Sequence, residues 1–163
     1  MKSRLHLIDV QARAYCVDWL HGAAVQARVT GVASHTIGLP AGRIPVLRVP
    51  ATPAHTNLGG DIFGGWIMSQ VDIAGSIPAV LRAKGRVVTV AVNSMTFLKP
   101  VMVGDILSVY AEIESVGTSS LLVNIEVYAQ RNPVDPVCIK ISDAQLTYVA
   151  IDNNGRPRPV PAG

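Results

Sequence analysis

One acidic residue lies on an otherwise apolar face of a helix-like segment. Asp72 follows Met68 by four positions, and Ile67, Val71 and Ala74 recur around it at three- and four-residue spacings. A carboxylate on an inward-facing side of a helix is costly unless it is paired or hydrogen-bonded, and such carboxylates concentrate at catalytic sites. Asp72 is therefore a candidate general base. The alternative is a mid-helix acid that simply reaches a solvated edge.

Two adjacent glycines, Gly64 and Gly65, begin the same predicted helix. Their free N–H groups and the positive end of the helix dipole suit a carbonyl oxygen that gains negative charge. The alternative is that the glycines only let the helix pack close to a sheet. Gly65 and Asp72 are separated by about 10 Å along one helix, whereas a general base must come within ~3 Å of its proton. If both act on one carbonyl, we expect them to come from two chains at a dimer interface.

Other chemistries have less support in the sequence. Cys16 and Cys138 make no disulfide framework, and no Cys/His spacing resembles a zinc site. Ser69 and Ser76 have no His in a triad-like arrangement, which argues against a serine hydrolase. We expect no metal and a reducing, cytoplasmic setting.

The elements that would position these residues predict an α+β fold. The spacing favours a helix from Phe63 to about Leu81, with a kink or an early end at Pro78 because an interior proline removes a hydrogen bond. A short strand-like run at 44–49 precedes the helix. Four longer strands are predicted after it, at 87–95, 105–116, 119–130 and 137–151, with a hairpin turn at Gly117-Thr118 and a bulge near Ser142-Asp143. One helix on one face of an antiparallel sheet is the economical packing.

Composition limits the class of protein. The 163 residues are 49% apolar and 15% charged, enough for one domain with a hydrophobic core, and no apolar run approaches the ~18–20 residues of a membrane span. The net charge of +3 is the sum of +4 in the first 50 residues and −1 in the rest, and the basic residues of the first part are scattered, so we expect no nucleic-acid binding. Residues 1–43 are interpreted as an N-terminal extension, poorly ordered or preceding the true translation start, and residues 44–163 as the folded domain.

Several motifs in a consistent order give the chain a specific resemblance. They are Asn57-x-x-Gly60-x-x-Phe63-Gly64-Gly65-Trp66-x-Met68-x-x-x-Asp72, Gly85-Arg86-Val87-Val88-Thr89 and Met95-Thr96-Phe97-Leu98-Lys99-Pro100-Val101-x-Val103-Gly104-Asp105. From about Arg48 to Pro161 the chain resembles the hotdog-fold acyl-CoA thioesterases, especially their small bacterial broad-specificity branch. The resemblance implies a long helix wrapped by an antiparallel sheet and paired as a double hotdog. It implies a homodimer at least, or a hexamer formed as a trimer of dimers.

The resemblance also implies roles for individual residues. Asp72 would act as general base or nucleophile, Asn57 of the opposite subunit would position water or substrate, and the Gly65 amide would polarise the thioester carbonyl. From the sequence itself, Arg82, Lys84, Arg86 and Lys99 are candidates for the phosphates of coenzyme A, with Arg86 preferred and surface solvation as the alternative for each. The predicted substrate-binding residues together are Phe63, Gly64, Arg86, Val87, Val88, Thr89, Gly117, Ser119 and Ser120. No cofactor is implied, because coenzyme A is part of the substrate and the product.

The sequence thus predicts an enzyme of fatty acid metabolism that hydrolyses acyl-CoA to a free acid and coenzyme A. An acyl-thioester dehydratase of the same fold is one alternative, although such enzymes usually pair a His with the acid and no His falls in the predicted helix or strands. A non-catalytic acyl-CoA sensor is the other. Two departures from the family pattern are Gly59, where relatives often carry a second Asn, and Pro78, which puts the far end of the acyl tunnel in doubt.

Overall fold

The computed structural model describes residues 38–162. The predicted N-terminal extension therefore lies outside the described residues, except for 38–43. The described chain contains β1 (Leu47–Pro50), a short 3-10 helix (Pro53–His55), α1 (Gly64–Ala83), β2 (Val87–Phe97), β3 (Ile106–Val116), β4 (Ser120–Arg131) and β5 (Val137–Ala150). The strands form one antiparallel sheet in the order β1-β3-β4-β5-β2, so β2 is an edge strand. This arrangement confirms the predicted α+β fold.

The helix α1 is packed along one face of the sheet. Its inward side consists of small and branched apolar residues, Ile67, Val71, Ala74, Gly75, Ala79 and Ala83. They meet the inward-facing residues of the long strands, such as Leu107, Val123, Ile125 and Leu146, in one core. The alternating apolar and polar residues of the predicted strands thus correspond to side chains that point into this core and side chains on the opposite face of the sheet.

Of the kink or early end expected at Pro78, the early end is wrong, because α1 runs for 20 residues from Gly64 to Ala83. Ala74 and Ala79 on either side of the proline are fully buried against the sheet. Tertiary packing on both sides holds the backbone helical despite the lost hydrogen bond. After α1, Lys84 adopts a left-handed conformation and its N–H donates to the carbonyls of Val80 and Leu81. Arg158 donates from Nη2 to the Ala83 carbonyl at 2.7 Å, so a cation lies at the negative end of the helix dipole.

The predicted hairpin and bulge are both present. The Gly117 N–H donates to the Ser120 carbonyl at 2.8 Å and closes the turn between β3 and β4. The β4–β5 register shifts between the pairs Val127–Ser142 and Tyr128–Lys140, next to the irregularity seen in the sequence. No helix within residues 38–162 is long and apolar enough to cross a bilayer.

A buried ion pair anchors the turn before β3. The Asp105 side chain is 1% exposed and accepts hydrogen bonds from Arg131 Nε at 2.9 Å, Arg131 Nη2 at 2.8 Å and the Met102 N–H at 2.9 Å. In the same turn, the Val101 carbonyl accepts from the Ile62 N–H at 3.2 Å. The pair therefore supports the loop that leads into α1.

Replacing Arg131 by methionine should lower the free energy of unfolding by about 3 kcal/mol, because it leaves the Asp105 carboxylate buried without its charged partner. Urea denaturation would measure the change. Arg48→Met is the matched control, since the exposed Arg48 side chain bonds only Gln130 among the described residues, and should cost less than about 0.5 kcal/mol. Equal stability losses in the two variants would contradict this account of the pair.

Candidate active site

The carboxylate of Asp72 is half-buried between α1 and the edge of the sheet. Thr89 on β2 donates from Oγ1 to Asp72 Oδ1 at 2.5 Å. The hydroxyl of Tyr148 on β5 donates to the Asp72 backbone carbonyl at 2.9 Å and lies 3.4 Å from Oδ1. Among the residues that the structure describes, no donor is hydrogen-bonded to Oδ2. That oxygen is therefore free to take a proton from a water molecule.

The environment of Tyr148 keeps its hydroxyl protonated. Burial raises the pKa of Tyr148 well above the usual range, and the negative charge of Asp72 raises it further. The hydroxyl is therefore a hydrogen-bond donor to Asp72 at neutral pH.

The two glycines at the start of α1 have different surroundings. A Cβ on Gly64 would lie 3.3 Å from the Phe97 ring, whereas a Cβ on Gly65 would meet nothing within 4 Å. The N–H groups of Trp66 and Ile67 donate to the Phe63 carbonyl at 3.0 and 3.3 Å, but within 38–162 those of Gly64 and Gly65 have no acceptor outside the helix. Gly64 is thus the packing glycine, and Gly65 presents a free amide in open space.

Asn57 organises the loop before α1. Its Oδ1 accepts hydrogen bonds from the Gly59 N–H at 2.8 Å and the Asp61 N–H at 3.2 Å, an Asx turn. This leaves the side-chain NH2 as the group of Asn57 that is available to a substrate. His55 stacks on Trp66, with ring centroids 4.8 Å apart, and thereby attaches this loop to the first turn of the helix.

The predicted substrate-binding residues form two groups. Val88 and Ser120 both pair with Val149, so they lie two strand spacings apart, about 10 Å. Their neighbours gather at the same end of the sheet: Arg86, Val87, Gly117 and Ser119. Phe63 and Gly64 lie at the start of α1, where Gly64 contacts Phe97 at the other end of β2.

The single chain therefore does not bring all the predicted catalytic groups together. Gly65 and the Asn57 loop are at the start of α1, whereas Asp72 is two helical turns further on, against Thr89. Because α1 is continuous over this distance, Gly65 and Asp72 of one chain are about 10 Å apart along the helix axis. This is the separation from which the sequence analysis inferred that two chains would have to share a site. Thr89, which is expected to line the path of coenzyme A, bonds Asp72.

Tyr148 was missed in the sequence analysis. It occupies an inward-facing position of β5 and is fully buried. A buried tyrosine hydroxyl usually needs a hydrogen-bond partner, so a Tyr on the apolar face of a predicted strand was a signal for a polar group opposite. As for metals, the part of the chain described here holds no cluster of three or more His, Cys, Asp or Glu side chains that could bind one.

Comparisons with known proteins agree with this fold. The family model described as "Thioesterase superfamily" matches residues 59–135. The acyl-CoA thioester hydrolase YciA of Salmonella typhimurium is 52% identical over 118 residues, covering 71% of this chain and 89% of that protein.

Two solved structures share both sequence and fold with the chain. The hexameric thioesterase y2039 from Yersinia pestis has a TM-score of 0.70 and 52% identity, covering 77% of this chain and 100% of that one. HI0827, a hexameric broad-specificity acyl-coenzyme A thioesterase, has a TM-score of 0.70 and 46% identity, covering 77% and 86%. The predicted resemblance is confirmed. The chain belongs to the thioesterase superfamily, among its hotdog-fold acyl-CoA thioesterases.

Proposed function

We propose that this protein hydrolyses acyl-CoA thioesters to a free carboxylic acid and coenzyme A. The observation that carries the proposal is the half-buried Asp72 carboxylate, held through Oδ1 by Thr89 with Oδ2 free. This is the arrangement that a general base needs, because one oxygen is oriented by the protein and the other is left for the reacting water. The relatives named above have the same activity in their names.

In the proposed reaction, Asp72 removes a proton from water as the water oxygen bonds to the thioester carbonyl carbon. The carbonyl oxygen becomes an oxyanion, which accepts a hydrogen bond from the Gly65 amide of a second protomer. Asn57 of that protomer orients water or substrate through its side-chain NH2. When the intermediate collapses, the C–S bond breaks and the proton held by Asp72 returns to the departing thiolate. No metal or further cofactor takes part in this scheme.

Coenzyme A is proposed to lie along the end of the sheet formed by 86–88 and 117–120. Arg86 is exposed, and its Nη1 lies 3.4 Å from the Asn153 carbonyl. Its guanidinium is proposed to reach the phosphates of coenzyme A. A cytoplasmic location and the assignment of 44–163 as the thioesterase domain belong to the same proposal. Contact with the sheet begins slightly before this boundary, because Leu39 packs against Tyr110, Tyr128 and Cys138 and the Arg43 Nε lies 2.8 Å from Glu112 Oε1.

Thiol release from a panel of acyl-CoAs of different chain lengths tests the function. Release with wild-type protein, measured with a thiol reagent, is the expected result. Binding of acyl-CoA without release would identify a sensor instead, and a new double bond without release would identify a dehydratase. Either outcome would overturn the proposal.

The exposed edge strand β2 is the proposed dimer contact. Val88, Val90 and Val92 are 41%, 55% and 46% exposed in the single chain, and an apolar edge strand is a template for pairing with another copy. The hexameric neighbours also argue for assembly. A double hotdog formed through β2 would cover these valines.

Replacing Val90 by lysine should therefore lower the molar mass measured by light scattering and abolish hydrolysis. Val90 lies at a register shift of β2 and has no partner on β5, so the substitution should cost the isolated chain little. Val134→Lys is the control, since Val134 is 91% exposed in the turn between β4 and β5. Retention of the wild-type mass in Val90→Lys would refute the β2 contact.

A further inference from the structure

A cross-strand pair holds the turn of α1 that carries Asp72. Thr89 on β2 and Tyr148 on β5 are directly opposite in the antiparallel register, so their side chains lie side by side on the face that packs against α1. Thr89 contacts the carboxylate, and Tyr148 contacts both the backbone carbonyl and, more distantly, the carboxylate. One helical residue is thus bonded to two neighbouring strands.

The two partners differ in rigidity. Thr89 is exposed on the edge strand, so its hydroxyl is free to exchange Asp72 for water. Tyr148 is fully buried in the core on β5, the strand between β2 and β4, and close packing restricts the rotamers of its ring. The Tyr148 hydroxyl is therefore the more rigid of the two hydrogen-bond partners that hold the helical turn of Asp72.

Gly75 shows how closely the helix fits around this hydroxyl. A Cβ at position 75 would lie 2.4 Å from the Tyr148 oxygen and 3.1 Å from Cζ. Alanine is preferred to glycine in a helix interior, and every other buried position of α1 carries a larger residue. The space that a methyl group would take is occupied by the hydroxyl that bonds Asp72.

We propose that Tyr148 is a positioning residue for catalysis. By holding the helical turn of Asp72 against β5, it places the Asp72 carboxylate at the correct distance from the reacting water. This rests on the proposed thioesterase activity. Because a displacement of about 1 Å at a catalytic group costs up to ~100-fold in rate, loss of the hydroxyl should act on turnover and leave substrate binding nearly unchanged.

The test compares Tyr148→Phe with a matched variant in the full chain. Tyr128 is also a buried strand tyrosine, but its hydroxyl donates to Glu126 on the sheet face opposite α1. Tyr148→Phe should lower kcat about tenfold or more with KM within about twofold, whereas Tyr128→Phe should leave both constants unchanged. A wild-type kcat in Tyr148→Phe, or an equal loss in Tyr128→Phe, would overturn the proposal.

Gly75 provides a second measurement that does not depend on activity. Gly75→Ala should lower the melting temperature, because its methyl group collides with the Tyr148 hydroxyl. Tyr148→Phe removes the hydroxyl oxygen, so the double variant should regain part of that loss, while the ring Cζ at 3.1 Å and Ile125 Cδ1 at 3.2 Å stay close to the methyl group. If wild-type protein releases no thiol from any acyl-CoA, the proposed function fails by itself. Absence of the rescue would refute the contact between residues 75 and 148 on which the positioning role depends.

Discussion

Replacement of Asp72 by alanine is expected to lower kcat for acyl-CoA hydrolysis by roughly 10³–10⁴-fold, as for the loss of a general base. No other acidic side chain in the described part of the chain is hydrogen-bonded at this point of α1, so water would have no alternative base. The fold should be unaffected, because Tyr148 bonds the backbone carbonyl of residue 72, which alanine retains. Thiol release under substrate saturation measures the rate, and thermal unfolding checks the fold.

Asp143→Ala is the control for the loss of an acidic side chain. Asp143 is half-exposed and pairs with Lys140 at 2.7 Å. It lies on the face of the sheet that points away from α1. This variant should hydrolyse acyl-CoA at the wild-type rate. A folded Asp72→Ala protein with wild-type turnover would show that Asp72 is not the base.

Two inactive variants should restore activity when they share a dimer. One carries Asp72→Ala and the other Asn57→Asp, which keeps an oxygen that accepts from the Gly59 and Asp61 amides and replaces the NH2 donor by a negatively charged carboxylate oxygen. If each site combines Asp72 of one protomer with Asn57 of the other, a mixed dimer has one intact site. Random mixing makes half of the dimers mixed, so about one quarter of wild-type activity is expected in an isologous dimer.

Co-refolding of the two variants, followed by the thiol-release assay, measures this recovery. Each variant refolded alone supplies the baseline. If Asp72 and Asn57 acted within the same chain, every protomer in the mixture would carry a lesion and no activity would return. That outcome would refute the shared site even if each single variant is inactive.

The positions of the main elements were predictable because they depend on local patterns. Alternating apolar residues in 105–116 and 119–130 identified two strands whose inward faces now form the core. Three- and four-residue spacing around Asp72 identified α1. The early end of α1 expected at Pro78 was wrong, because the lost hydrogen bond at a proline is a local effect. The packing of Ala74 and Ala79 on the sheet, which stabilises the helix there, cannot be seen in the local sequence.

The detailed contacts of the site were less predictable. The two glycines at the helix start look equivalent in the sequence, but only Gly64 meets Phe97, which arrives from the far end of β2. The Asn57 side chain was expected to serve substrate, and the structure commits its oxygen to the loop amides. Both outcomes depend on which groups lie nearby in space.

The sequence alone predicts the family, the antiparallel sheet with its single long helix, and Asp72 as the acid on the inward face of that helix. These follow from motif order and from the periodicities of helix and strand, which are properties of neighbouring residues. The position of Asp72 between Thr89 and Tyr148 is visible only in the folded chain. Their pairing depends on the register between an edge strand and the last strand of the chain, which is set by bulges and long-range packing that no local pattern records.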